Sequence, residues 1–297
     1  MSRPVAVFCV LVCALIWGTT WYAITLQLGV VNSVASVTYR FGLAAAVIFA
    51  GCLLTGRSLK MTRPQHLALM GQGLFVFTVS YAFVYWSEAR VPSAVVAVIF
   101  AALAFLNLVL FRVAAGQKAA PLAWGGALLG VVGVGVLFAS ELARTGMDQR
   151  AVIGLVMALT AVCASTIGNF FAWRAQTAGA PVIPATAWAM AYGTGFLFLF
   201  GLATGVEWTF EATPRYVGSL LYLSLFGSVA AFLLYFTLAR ARGYALASYI
   251  SALTPPVAML VSVLFEGARF GPAAFAGLVL VLAGQVLLIR APRVSAA

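Results

Sequence analysis

Polar and charged residues along this chain fall in short clusters, and long apolar windows run between them. A helix needs about 20 residues to cross a bilayer's hydrocarbon core. Ten windows have that length, near 5–27, 33–54, 66–87, 93–111, 121–140, 151–173, 183–206, 216–239, 243–265 and 270–289. Each is continuously apolar rather than alternating, so the pattern predicts helices and not barrel strands. The first window follows a single Arg and has full spanning length, with no small-residue cleavage site after it. It therefore reads as a span, not a leader. The connections are short. The predicted class is an all-α membrane protein with ten transmembrane helices.

Composition and charge refine this picture. The 297 residues are 64% hydrophobic and 8% charged, with a mean hydropathy of +1.08. So few charges could not cover a soluble surface. A net charge of +11 would suggest nucleic acid in a soluble protein. Here its distribution gives another reason. With the N-terminus inside, eleven basic residues lie in inside segments: Arg3, Arg57, Lys60, Arg63, Arg112, Lys118, Arg174, Arg240, Arg242, Arg290 and Arg293. Five lie in outside loops (Arg90, Arg144, Arg150, Arg215, Arg269), and all six acidic residues are placed outside too. Lys and Arg collect on the cytoplasmic side, so both termini are expected in the cytoplasm, with no nucleic-acid partner. Cys9, Cys13, Cys52 and Cys163 sit in apolar runs without His or carboxylate company. They read as small packing residues, and no metal or other cofactor is expected.

The ten spans divide into five and five, 1–140 and 151–290, joined by an external loop at 141–150. The second half echoes the first at an offset of 152: Ala89-Arg90 matches Ala241-Arg242, Val109 matches Val261 and Gly125 matches Gly277. Five is odd, so the halves must be inverted relative to each other. Two inverted five-helix repeats around a central cavity are the architecture of alternating-access carriers.

Three stretches carry a family resemblance. "LIWGTTWYAI" at 15–24, "YRFGLAAAVIF" at 39–49 and "LARARGYALASYISALTPPVAMLVSVLFEGARFGPAAFAGLVLVLAGQVLL" at 238–288 resemble the drug/metabolite transporter superfamily, in its ten-helix EamA-type branch. The aromatic density is similar to that of the YddG-type aromatic amino-acid exporters. The resemblance implies a multi-pass protein of the bacterial inner membrane that exports small amphipathic metabolites, aromatic and other bulky neutral amino acids among them. Two departures stand out. Where the family often has Gly-Glu before the fifth helix of each repeat, this chain has Gly116-Gln117 and Gly267-Ala268, with Glu266 displaced by two. Pro255-Pro256 occupy one fourth-type helix, but Leu103-Ala104 stand opposite in the other, so a kink is expected in one half only.

Candidate site residues follow from position and type. Trp17 and Trp21 share a helix face with Thr20 beside it, away from the interfaces where Trp normally collects. They either pack between helices or wall a wet cavity; Thr19 should turn to a neighbouring helix, and Gly18 allows close approach. Tyr81 is a pocket candidate, whereas Tyr85 and Trp86 read as an outer interfacial belt. Asn169 should face the interior, as helix glue or substrate contact. Trp188 and Tyr192 are again four apart. Tyr249, Ser251 and Thr254 accompany Pro255 and Pro256, whose rings loosen the carbonyls of Ser251 and Ala252 and suggest a hinge. Arg40, the one charge within a window, either snorkels outward or holds a substrate carboxylate. Gly126-x-x-x-Gly130 reads as close packing within the bundle or as a dimer face; a monomer is expected.

No Asp or Glu falls inside a window, and the sole histidine, His66, sits at an edge. Ion-coupled carriers usually place such groups in the membrane, so a facilitator without a proton or sodium relay is the simplest mechanism. No catalytic motif points to an enzyme. A small-molecule carrier, with an exporter of aromatic cations as the alternative substrate reading, stands against a non-transporting scaffold or sensor.

Overall fold

A computed structural model describes residues 2–144, 148–242 and 244–291, and within its helices the side chains of 3, 239, 240, 242, 244–249, 251, 252 and 289 are left out. Tyr249 and Ser251 therefore have side chains outside the described residues. Ten helical spans follow in order: α1 Arg3–Thr25, α2 Ser33–Leu54, α3 Arg63–Glu88, α4 Ser93–Ala115, α5 Pro121–Arg144, α6 Gln149–Thr177, α7 Val182–Ala203, α8 214–242, α9 244–266 and α10 Pro272–Arg290. Eight have the length and apolarity to cross a membrane, and shorter apolar stretches at Leu253–Glu266 and Pro272–Leu288 lie in the last two. No strand occurs among the described residues.

The distribution of side-chain size is that of a protein solvated by lipid. Small residues such as Ala35, Ala44, Ala94, Ala158, Ala161, Ala187 and Ala189 fill the interior. Large ones such as Phe8, Leu15, Leu128, Leu199 and Phe265 face outward. Lipid tails are as apolar as Leu, so helices gain most by approaching closely through small residues. The tightest case is α5 on α10. A Cβ on Gly126 would stand 2.5 Å from the carbonyl oxygen of Gly284, and one on Gly133 2.6 Å from that of Gly277. Gly126 and Gly133 of α5 thus pack inside the bundle, whereas a Cβ on Gly125, Gly130 or Gly135 would meet open space.

Regular α-helix gives way at several places. Gly73–Ser80 in α3 and Leu223–Ala230 in α8 are π-helical, as is Ser262–Glu266 at the end of α9. A π-turn bonds five residues back and leaves carbonyls free for other donors. In α3, Thr78 uses this region to donate to the Gly193 carbonyl of α7 at 3.0 Å. The α4 helix is interrupted at Ala101 and Ala102, where the backbone makes three-residue turns. Gln285 of α10 donates its amide to the freed Ala101 carbonyl at 3.0 Å. A one-sided kink was the expectation from sequence. The structure breaks α4 as well, without a proline, and helical structure runs through Pro255 and Pro256 in α9.

Other expectations are also corrected. Tyr85 is not interfacial: it is fully buried, and its hydroxyl donates to Gln27 Oε1 at 2.6 Å. Cys163 is exposed on the bundle surface, unlike the other three cysteines. Two carboxylates placed outside the spans are in fact buried in helical ends. Glu141 pairs with Arg144 one turn on. Glu88 ends α3 at 6% exposure, and neither of its oxygens has a hydrogen-bond partner among the described residues. Helix α3 runs one residue past its apolar window, which is enough to carry the carboxylate inside.

Candidate functional site: a central aromatic cavity

The cavity lies between helices of both halves and holds about 940 Å³ of empty space, part of it open to solvent. Its wall begins with α1. Trp17, Thr20, Trp21 and Ile24 repeat at helical spacing and so line one face. Trp17 donates its indole N–H to the Gly227 carbonyl at 3.2 Å, a group within the π-helical segment of α8. Its ring packs edge-on to Phe232 at 5.3 Å and against Tyr235 at 5.4 Å. Gly227 is needed at this point because a Cβ there would stand 2.7 Å from Thr20 Cγ2.

Trp21 differs from Trp17. Its ring packs on Phe100 at 5.1 Å, just before the break in α4, but its indole N–H has no hydrogen-bond partner among the described residues. Thr20 gives its hydroxyl proton to the Trp17 carbonyl at 2.8 Å. Thr19 turns away to α8, where its hydroxyl lies 2.6 Å from that of Tyr222. Gly18 brings α9 against α1: a Cβ would collide with the Val257 side chain and reach 3.4 Å from the Thr254 carbonyl.

Arg40 enters the cavity from α2 and is 1% exposed, so it does not snorkel. Its Nε donates to Ser228 Oγ of the α8 π-segment at 3.1 Å. The guanidinium carbon sits 4.7 Å from the centre of the Tyr81 ring and 5.1 Å from that of Phe41, within cation–π range. Its Nη1 has no hydrogen-bond partner among the described residues. Glu88 is close enough to be felt electrostatically but forms no ion pair with it and does not line the cavity. Arg40 is thus the single charge among the described lining residues.

The other polar groups on the wall, from Ser165, Asn169 and Thr254, are amide and hydroxyl in character. Asn169 of α6 donates to Asn107 Oδ1 of α4 at 3.4 Å. Ser80 and Ser165 hydroxyls lie 3.1 Å apart. Thr254 gives its proton to the Ile250 carbonyl at 2.8 Å. Pro255 and Pro256 follow it in the helix that Gly18 draws close.

The structure therefore gathers Trp17, Thr20, Trp21, Arg40, Tyr81, Asn169 and Thr254 around one cavity. Trp188 is elsewhere. Its indole donates to the Leu59 carbonyl at 2.9 Å, and it stacks with Tyr192, which shares a 2.9 Å hydrogen bond with His66. It ties α7 to the chain after α2. Sequence reasoning missed Asn107 and Gln285, although both are amides in apolar windows and the argument applied to Asn169 covers them equally.

Ten helical spans among the described residues, small residues inside and a cavity between them define a multi-pass membrane protein. A sequence profile of the EamA-like transporter family matches residues 4–139 and again 152–290. The chain belongs to that family and is a membrane transporter. It is 28% identical over 251 residues, 83% of this chain and 78% of the relative, to "Uncharacterized inner membrane transporter YedA" of Escherichia coli strain K12. The proteins of that name in strains O6:H1 and O157:H7 match equally. A solved crystal structure superposes with a TM-score of 0.71 at 19% identity, covering 96% of each chain, which shows a shared fold.

Proposed function

We propose that this transporter exports aromatic and other bulky neutral amino acids, or molecules shaped like them, across a bacterial inner membrane by alternating access. In this reading the five-helix halves are inverted, both termini are cytoplasmic, and α9 hinges at Pro255 and Pro256. The observation that carries it is Arg40: a buried guanidinium beside the Phe41 and Tyr81 rings in the central cavity, with an N–H that has no partner among the described residues. A carboxylate would complete its hydrogen bonding, and the rings of Trp17, Trp21 and Tyr81 suit an aromatic side chain. The same charge opposes an aromatic cation, which would meet no carboxylate on the described lining. The inner-membrane setting is also the one that the YedA relative's description gives.

Transport of labelled phenylalanine into proteoliposomes tests the reading, with tryptophan, tyrosine, leucine and methionine as competitors. Uptake is expected down the substrate's own gradient without an imposed proton or sodium gradient. Glu88 is a buried carboxylate at the end of a span whose oxygens have no hydrogen-bond partner among the described residues, so it is the relay to test, and Glu88→Gln is expected to leave this independence unchanged. A strict requirement for either ion gradient in the unsubstituted protein would overturn the facilitator mechanism.

A further inference from the structure

Among the described residues that line the cavity, two buried polar atoms lack a hydrogen-bond partner: Arg40 Nη1 and Trp21 Nε1. Both are donors. Neither can accept a proton, so a ligand that satisfies them must bring acceptors. The oxygens on the wall, from Thr20, Thr254, Ser165 and Asn169, are neutral, and no carboxylate lines the described cavity. We infer that the site selects for the carboxylate of its substrate and does not read an α-ammonium, so that aromatic 2-hydroxy and 2-oxo acids are carried at least as well as the corresponding amino acids.

This rests on the reading of the cavity as an aromatic carboxylate site, and it sharpens it. An α-amino acid carries its ammonium on the carbon next to the carboxylate. Seating the carboxylate on Arg40 therefore brings the ammonium toward the same guanidinium. Like charges repel more strongly where water is excluded. An ammonium is also strongly hydrated and loses that hydration on entry; a neutral hydroxyl or amide oxygen replaces it only in part. A 2-hydroxy acid keeps the size, ring and carboxylate, and replaces the ammonium with a hydroxyl that costs less to desolvate. Glu88 is the carboxylate nearest in effect to Arg40, but it stands outside the lining at the end of α3. It is the group that would have to serve an ammonium if one were read.

Three probes of matched size decide this by calorimetry on the purified full-length protein: phenylalanine, 3-phenyllactate and phenethylamine. The expected result is phenyllactate binding as tightly as phenylalanine or more so, with phenethylamine more than about tenfold weaker, a difference of one decade in Kd. Phenylalanine binding at least tenfold more tightly than phenyllactate, with phenethylamine still weak, would overturn this inference and leave the amino-acid reading standing. If Glu88→Gln then removed that preference, Glu88 would be identified as the ammonium's partner. Phenethylamine binding best, or none of the three binding, would overturn the aromatic carboxylate reading itself.

Discussion

Arg40→Gln is expected to reduce transport by about 100-fold while the protein remains folded. Removing one partner of a buried, hydrogen-bonded charge pair costs about 2–5 kcal/mol of binding, because the other charge is left without compensation. The free protein has less to lose. Arg40 is buried with one N–H unpaired, and replacing an incompletely compensated buried charge by a neutral group is often neutral or stabilising. Gln also keeps an amide donor for Ser228. Arg40→Lys should restore little, since an ammonium is a point donor without the planar fork that matches a carboxylate. The measurement is initial uptake per folded molecule, with folding judged by size-exclusion profile and thermal melt. A snorkelling or purely structural arginine would show the reverse: unchanged uptake, or loss in step with lost folding.

Gly133→Val should be nearly as damaging, through the fold rather than the site. Its Cβ would stand 2.6 Å from the Gly277 carbonyl and 2.7 Å from the Val281 backbone nitrogen. Backbone atoms cannot rotate aside, so α5 and α10 would have to separate along their shared length. Overpacking typically costs ~1–3 kcal/mol and more when the neighbour cannot yield. Gly125 lies on the same helix with open space beside it. Gly125→Val therefore carries the same helix-propensity penalty without the collision. Thermal melts of the two variants are expected to differ by at least about 5 °C, with Gly133→Val the lower. Equal melting would mean that the α5–α10 contact is not close in the membrane.

The ten spans were legible because their signal is one-dimensional: a window of apolar residues long enough to cross. What a window does not record is azimuth, the direction a residue faces around its helix. Position along the chain suggests an interfacial Tyr85 and a Glu88 in an outside loop, yet helix packing turns both inward. Trp188 has the same four-residue aromatic pairing as Trp17, but it faces Leu59 and His66 rather than the cavity. The α1 face could be read because Trp17, Thr20 and Trp21 break the usual depth rule for tryptophan. The π-segments left no comparable mark. Leu223–Ala230 is ordinary apolar sequence, and its freed Gly227 carbonyl acquires meaning only when Trp17 arrives from a residue 210 positions away. The break at Ala101–Ala102 is likewise held from outside, by Gln285 of α10. Proline marks a kink in sequence, whereas a partner amide marks one only in space.

The central claim is that substrate passes along the wall built by Trp17, Trp21 and Arg40. Trp21→Ala tests this, because its ring lines the cavity and packs on Phe100, and its N–H has no partner among the described residues. Truncating a fully packed Trp would cost about 3–5 kcal/mol of stability. A cavity wall has fewer partners to lose. One paired measurement on the purified variant suffices: uptake per folded molecule and melting temperature. Uptake is expected to fall by about tenfold or more, with the melt shifted by only a few degrees. A large fall in melting temperature with unchanged uptake per folded molecule would contradict this claim and make Trp21 a packing residue.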